Sequence, residues 1–188
     1  MRIGILGTRG IPARYGGFET LAEELSARLS ARGHDVTVYT RSRYAQAGLA
    51  EWRGAKIRVL PTIPTKYLDT VVHGVLSGFD AALESFDAVL VCNAINAAAA
   101  FLPRLGARTR VVLNVDGLER HRRKWSALGR LAYRVSERLS TIVPDANNCI
   151  VSAGNSVITV AVSNDKRGFG DAERILKNEG CSVDTLSS

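Results

Sequence analysis

Arg2-Ile-Gly-Ile-Leu-Gly7 is a short apolar run that stops at a glycine, and the loop Thr8-Arg-Gly-Ile-Pro-Ala-Arg-Tyr-Gly-Gly17 follows it. A run of that length, apolar on consecutive residues, suits a strand buried on both faces of a parallel sheet. Beyond the loop, Phe18, Leu21, Ala22, Leu25 and Leu29 recur at helical spacing, so a helix is expected from about Phe18 to Arg32. Glu19 and Glu23, expected in its first turn, Arg32 at its end and Gly33 just beyond agree with helix-dipole and C-cap preferences. Strand, glycine loop and helix in that order form the opening unit of an α/β domain.

The rest of the chain repeats this alternation. Strands are expected at 35–40, 56–60, 88–92 and 110–115, with helices at 66–85, 94–102 and 124–139. The order implies a Rossmann-like parallel sheet with helices on both faces. After Ser140 the character shifts. Pro144-Asp-Ala-Asn-Asn148 reads as a turn cluster, 157–162 as a strand and 171–179 as a short helix, and the end is expected to fray. The domain is therefore placed at 1–140, with 141–188 as an atypical, poorly packed continuation.

Composition narrows the class. The chain has 188 residues, 46% hydrophobic and 23% charged, a globular and not a disordered profile. No apolar run reaches the roughly 20 residues of a membrane-spanning helix, and the N-terminus lacks a signal-peptide pattern. Cys92, Cys149 and Cys181 form no CxxC pair, and His34, His73 and His121 are scattered, so free thiols and no metal site are expected. These features suggest a cytoplasmic protein.

Charge is uneven. Residues 141–188 carry four bases (Lys166, Arg167, Arg174, Lys177) against six acids, while the whole chain carries +7, which leaves +9 on residues 1–140. Such a skew fits either a polyanionic partner or a solvated basic surface.

Three stretches have the residue types for chemistry. In the first loop, Gly16 and Gly17 stand where a helix N-terminus presents unpaired amides. The pair either admits a phosphate or simply shapes a turn. The spacing is not G-x-G-x-x-G, and Thr40-Arg41 ends the second strand where a dinucleotide site would place an acid. Arg41 facing a 2′-phosphate would fit an NADP-dependent oxidoreductase, which stands as an alternative. The second stretch is Asn114-Val-Asp-Gly-Leu-Glu119 with Arg120-His-Arg-Arg-Lys124. Asp116 and Glu119 are either acid/base or hydroxyl-binding groups, or a helix cap and a first-turn acid. The bases Arg120, Arg122, Arg123 and Lys124 suit a phosphorylated ligand, an anionic membrane or a solvated face. The third is 124–139, where Arg130, Arg134 and Arg138 share one helical face opposite an apolar stripe that reads as core.

Residues 2–41, with GGFE at 16–19 and LAEELSARLSARGHDVTVYTR at 21–41, closely resemble the N-terminus of retaining GT-B glycosyltransferases. The likeness is to the bacterial polysaccharide branch that includes rhamnosyltransferases, and VDGLE at 115–119 and RRKW at 122–125 look like its next landmark. The resemblance covers about residues 1–140. It implies one half of a GT-B fold, the acceptor-side domain. The intact enzyme would move a sugar from a nucleotide-sugar to a polysaccharide or lipid-linked acceptor, with retention and no other cofactor. It assigns Gly16 and Gly17, with Arg14 beside them, to the donor diphosphate. Asp116 stands where many relatives carry a histidine that contacts the transferred sugar, making it the catalytic candidate. Glu119, Arg120, Arg122, Arg123 and Lys124 become contacts to acceptor, phosphate or the inner membrane face. Nucleic acid is not an expected partner. The donor domain of such enzymes has no counterpart in this sequence, so the resemblance also implies a truncated chain, inactive alone. A non-catalytic binding module, or the partner of a separately encoded donor domain, is the remaining alternative.

Overall fold

The computed structural model describes residues 1–14, 16–63, 65, 68–105, 109–115, 131, 134–136, 138–139, 146–153 and 156–163. Strand β1 (Arg2–Leu6) leads through the glycine loop into helix α1 (Gly17–Ala31) and back to β2 (Asp35–Arg41). A two-residue strand β3 (Glu51–Trp52) precedes β4 (Ala55–Leu60), and α2 (Leu68–Glu84) precedes β5 (Ala88–Cys92). Two 3-10 segments, Ala94–Asn96 and Ala99–Leu105, connect to β6 (Arg110–Val115), and β7 (Ala146–Ala153) and β8 (Ser156–Ser163) complete the sheet.

The strand order is β3-β4-β2-β1-β5-β6-β7-β8. β4, β2, β1, β5, β6 and β7 run parallel, and β3 and β8 are antiparallel edges. The order grows outward from β1 in one direction and then from β1 in the other. β1 and β5 therefore flank the point where the connections diverge, which is where open α/β sheets hold their ligands, beyond the strands' carboxyl ends.

Period-two alternation divides the core between two faces. Ile5, Val36, Val38 and Cys92 pack with Ala22 of α1. Leu6, Tyr39, Val89, Val91, Val111 and Leu113 pack with Ala81 of α2 and with Ala97 and Ala100. The expected Rossmann-like sheet with helices on both faces is what the chain forms. Helix α1 ends as expected: Gly33, at φ 82°, adopts the left-handed conformation past the Arg32 cap.

Three local expectations are corrected. The alanine-rich segment after β5 winds as 3-10 turns and not as an α-helix. Pro103 lies inside its second piece, and the segment presses on α2 closely enough that a Cβ on Gly74 would sit 2.4 Å from Asn96 Oδ1. Glu23 lies beyond the first turn of α1, where only Glu19 remains. Ala146–Asn148 belongs to β7 and not to a turn, because Val112 to Asn114 pair with it in register. Helix 124–139 falls largely outside the described residues. Of its stripe, Leu139 packs against the α2-side core while Val135 is half exposed.

Candidate site in the β1–α1 loop

Gly7 turns the chain at the end of β1 with φ 90°, and its Cα lies so close to β5 that an added Cβ would stand 2.2 Å from the Cys92 carbonyl oxygen. The loop then runs over the carboxyl edge to Gly16, the N-cap of α1, at φ 96° and ψ 162°. No side chain caps the helix start. The first-turn N–H groups of Gly17, Phe18 and Glu19 have no acceptor earlier in the helix, which is the general property that suits a helix start to an anion. A Cβ on Gly17 would meet nothing within 4 Å, and Gly17 is not in the left-handed region. Gly16 differs: its positive φ disfavours any side chain, and a Cβ would stand 2.7 Å from Glu19 Oε2. Gly16 thus shapes the turn, and Gly17 keeps the space above it clear.

Two carboxylates of α1 hold this loop. Glu19 Oε1 accepts the Arg9 N–H at 3.0 Å and Glu23 Oε2 accepts the Ala13 N–H at 2.5 Å. The Ala13 N–H holds the Glu23 carboxyl below the ordinary carboxylate range against the opposing pull of burial; Trp52 Nε1, donating at 3.0 Å, and Arg53 assist. Glu19 and Glu23, read from the sequence as dipole-complementing acids, are the loop's braces.

Arg41 is not available to a ligand. Its guanidinium is buried, with Nη1 donating to Asp69 Oδ2 at 2.5 Å and Nε to the Thr8 carbonyl at 3.2 Å. Thr62 Oγ1 donates to the other Asp69 oxygen at 2.5 Å. Burial alone would raise the Asp69 carboxyl, but Thr62 and Arg41 overcome it and hold the group low. The residue that would have met a 2′-phosphate is a structural ion pair, and the oxidoreductase reading loses its anchor.

His73, one turn further along α2, is fully buried, and neither ring nitrogen makes a well-formed hydrogen bond among the described residues. Burial pushes its pKa down to about 4, helped by the Arg41 charge and opposed by the Thr40 backbone and Asp69. The ring is neutral at pH 7. Since the folded-state value lies below the unfolded value near 6.5, the unfolded chain takes up the extra proton between those limits. Stability from this group is complete above pH 6.5 and falls toward pH 4, by about 3 kcal/mol in all. Urea midpoints measured from pH 7 to 4.5 should fall less steeply for His73→Leu than for the wild type; equal slopes would mean that the ring is solvated. Burial likewise pushes the Cys92 thiol up to about 12, so it is inert at neutral pH.

A small cavity opens beside the loop. It holds about 120 Å3 and is lined by Arg9, Arg14, Glu19, Arg43 and Tyr44 among others. Of the residues expected at the site, the structure brings Arg14, Gly16 and Gly17 onto one loop. Arg14 is exposed, with Nη2 donating to Gln46 Oε1 at 3.3 Å. Asp116, Glu119, Arg120, Arg122, Arg123 and Lys124 lie outside the described residues. Arg9, Arg43 and Tyr44 were not picked out as site residues by sequence; Arg9 lay inside the glycine loop, and Arg43 and Tyr44 in a base-rich Arg41-Ser-Arg-Tyr44 after β2, in which Arg41 drew the attention. Among the described residues no group of three or more His, Cys, Asp or Glu side chains is placed to hold a metal ion. No helix there is long and apolar enough to cross a membrane.

A parallel sheet with a glycine loop over its switch point and a helix starting from that loop defines a Rossmann-like α/β domain. A family model described as "Glycosyl transferase 4-like domain" matches residues 16–147, and the chain belongs to that family. No curated protein matches it.

Proposed function

We propose that this domain serves a retaining glycosyltransferase of the GT-B type, with the β1–α1 loop approaching the diphosphate of a nucleotide-sugar donor. The observation that carries the reading is the start of α1: a glycine with unobstructed space above uncapped first-turn amides, in a chain of the glycosyltransferase family. As the sugar–phosphate bond breaks, negative charge grows on the leaving diphosphate. Fixed N–H donors at a helix N-terminus, with Arg14 at the rim, stabilise that charge without reorganising. The acceptor hydroxyl belongs to a polysaccharide or a lipid-linked saccharide, with Asp116 as the group nearest the transferred sugar. The bases from Arg120 to Lys124 suit a peripheral contact with an anionic inner membrane face, each worth about 1 kcal/mol near such a surface.

Gly17→Val tests the central step. A valine side chain starts from a Cβ with no protein atom within 4 Å, at a residue outside the left-handed region, so the thermal midpoint should move by no more than a few degrees. Binding of inorganic pyrophosphate, measured by calorimetry, should weaken at least tenfold. Unchanged affinity would mean that the glycines only form a turn.

A further inference from the structure

The cavity beside the loop has a composition that the diphosphate role does not require. Three guanidinium-bearing residues, Arg9, Arg14 and Arg43, line it against one carboxylate, Glu19, which already accepts the Arg9 N–H. Tyr44 organises two of them: the Arg9 and Arg43 guanidinium carbons lie 5.3 and 5.4 Å from its ring centroid. Both guanidinium groups therefore stand against one ring at the cavity wall, where their N–H donors are held close together. The arrangement is fixed from below. Arg41 N–H donates to the Arg9 carbonyl at 3.1 Å and the Tyr44 N–H donates to the Arg41 carbonyl at 2.9 Å, so the buried Arg41–Asp69 pair anchors both walls. At about 120 Å3 the space is several times the ~10–15 Å3 that one water needs by the same measure. It suits one compact anionic group held by forked N–H donors, which match carboxylate and phosphate geometry.

We propose that this cavity is a subsite for an anionic group carried by the acceptor saccharide, with Arg9 and Arg43 as its ligands and Tyr44 as the residue that positions them. The proposal rests on the glycosyltransferase reading for the word acceptor, and on the cavity alone for the anion. A sugar carboxylate and a sugar phosphate present the same chemistry to these side chains.

The test uses the 188-residue chain, with glucuronate, glucose 1-phosphate, glucose and inorganic pyrophosphate as calorimetric probes. Both charged sugars should bind and glucose should not. Arg43→Gln, an exposed replacement that leaves the core intact, should weaken the charged sugars at least tenfold and leave pyrophosphate within twofold. Tyr44→Leu, which keeps both arginines, should weaken the charged sugars severalfold by releasing their geometry. Gly17→Val should show the reverse pattern, losing pyrophosphate and keeping the charged sugars. A preference for glucose 1-phosphate over glucuronate would assign the subsite to a phosphate, the opposite preference to a carboxylate. Glucose binding as well as the charged sugars, or charged-sugar affinity unmoved by Arg43→Gln, overturns the subsite while leaving the diphosphate reading intact. Pyrophosphate affinity indifferent to Gly17→Val overturns that reading instead.

Discussion

Asp69→Ala should cost about 3–5 kcal/mol of folding stability, the usual consequence of removing one partner from a buried ion pair. Arg41 and Asp69 have side chains only 6% and 11% exposed, and Asp69 also accepts the Thr62 hydroxyl. Without the carboxylate, the guanidinium keeps the Thr8 carbonyl as a neutral acceptor, and a buried cation facing only neutral dipoles is poorly solvated. For a chain of this size each kcal/mol shifts the thermal midpoint by roughly 2–4 °C, so a drop of about 10 °C is expected. The double variant Arg41→Met with Asp69→Leu should recover much of that loss, because two apolar groups leave no charge uncompensated. A midpoint that moves by less than about 2 °C in Asp69→Ala would show that water reaches the pair.

Gly7→Ala should be comparably damaging, while Gly17→Ala should be nearly neutral. Gly7 combines φ 90° with a Cβ position 2.2 Å from the Cys92 carbonyl oxygen and 2.8 Å from Asn96 Nδ2. Strain in the left-handed region costs about 1–3 kcal/mol, and forcing the β1 and β5 backbones apart adds an overpacking cost of about 1–3 kcal/mol. Neither term applies at Gly17, where alanine meets open space and favours the helix over glycine. Chemical denaturation of the two variants side by side reads the contrast directly. Equal stabilities would mean that the ends of β1 and β5 lie far enough apart to admit a Cβ at Gly7.

The legible parts of the sequence were those written in consecutive residues. Apolar runs such as Ile3 to Leu6 and Val89 to Cys92 mark parallel strands because both of their faces are buried. Gly33 marks a helix end because few other residues adopt its conformation readily. What stayed hidden depends on partners far along the chain. Arg41 reads as a ligand contact until Asp69, 28 positions away, is seen to neutralise it. The acids of α1 read as dipole partners until the loop folds back onto them. Alanines 97–100 favour an α-helix by propensity, yet close packing against Gly74 and Gly78 and the presence of Pro103 select 3-10 turns. The resemblance located Gly16 and Gly17, but it did not reveal that one shapes the turn while the other clears space. Arg9 is separated in sequence from Arg43 and Tyr44 by helix α1 and strand β2, and only the fold brings the three to one cavity.

The most direct test of the central claim follows the backbone amides themselves. In 15N–1H spectra of the chain titrated with inorganic pyrophosphate and then with UDP-glucose, the amides of Gly17, Phe18 and Glu19 should move first and furthest. Those of β3 and of the α1 C-terminus should stay in place. Shifts concentrated away from the carboxyl edge of β1 and β5, or none at the start of α1 at saturating ligand, would contradict a diphosphate cradle in this loop.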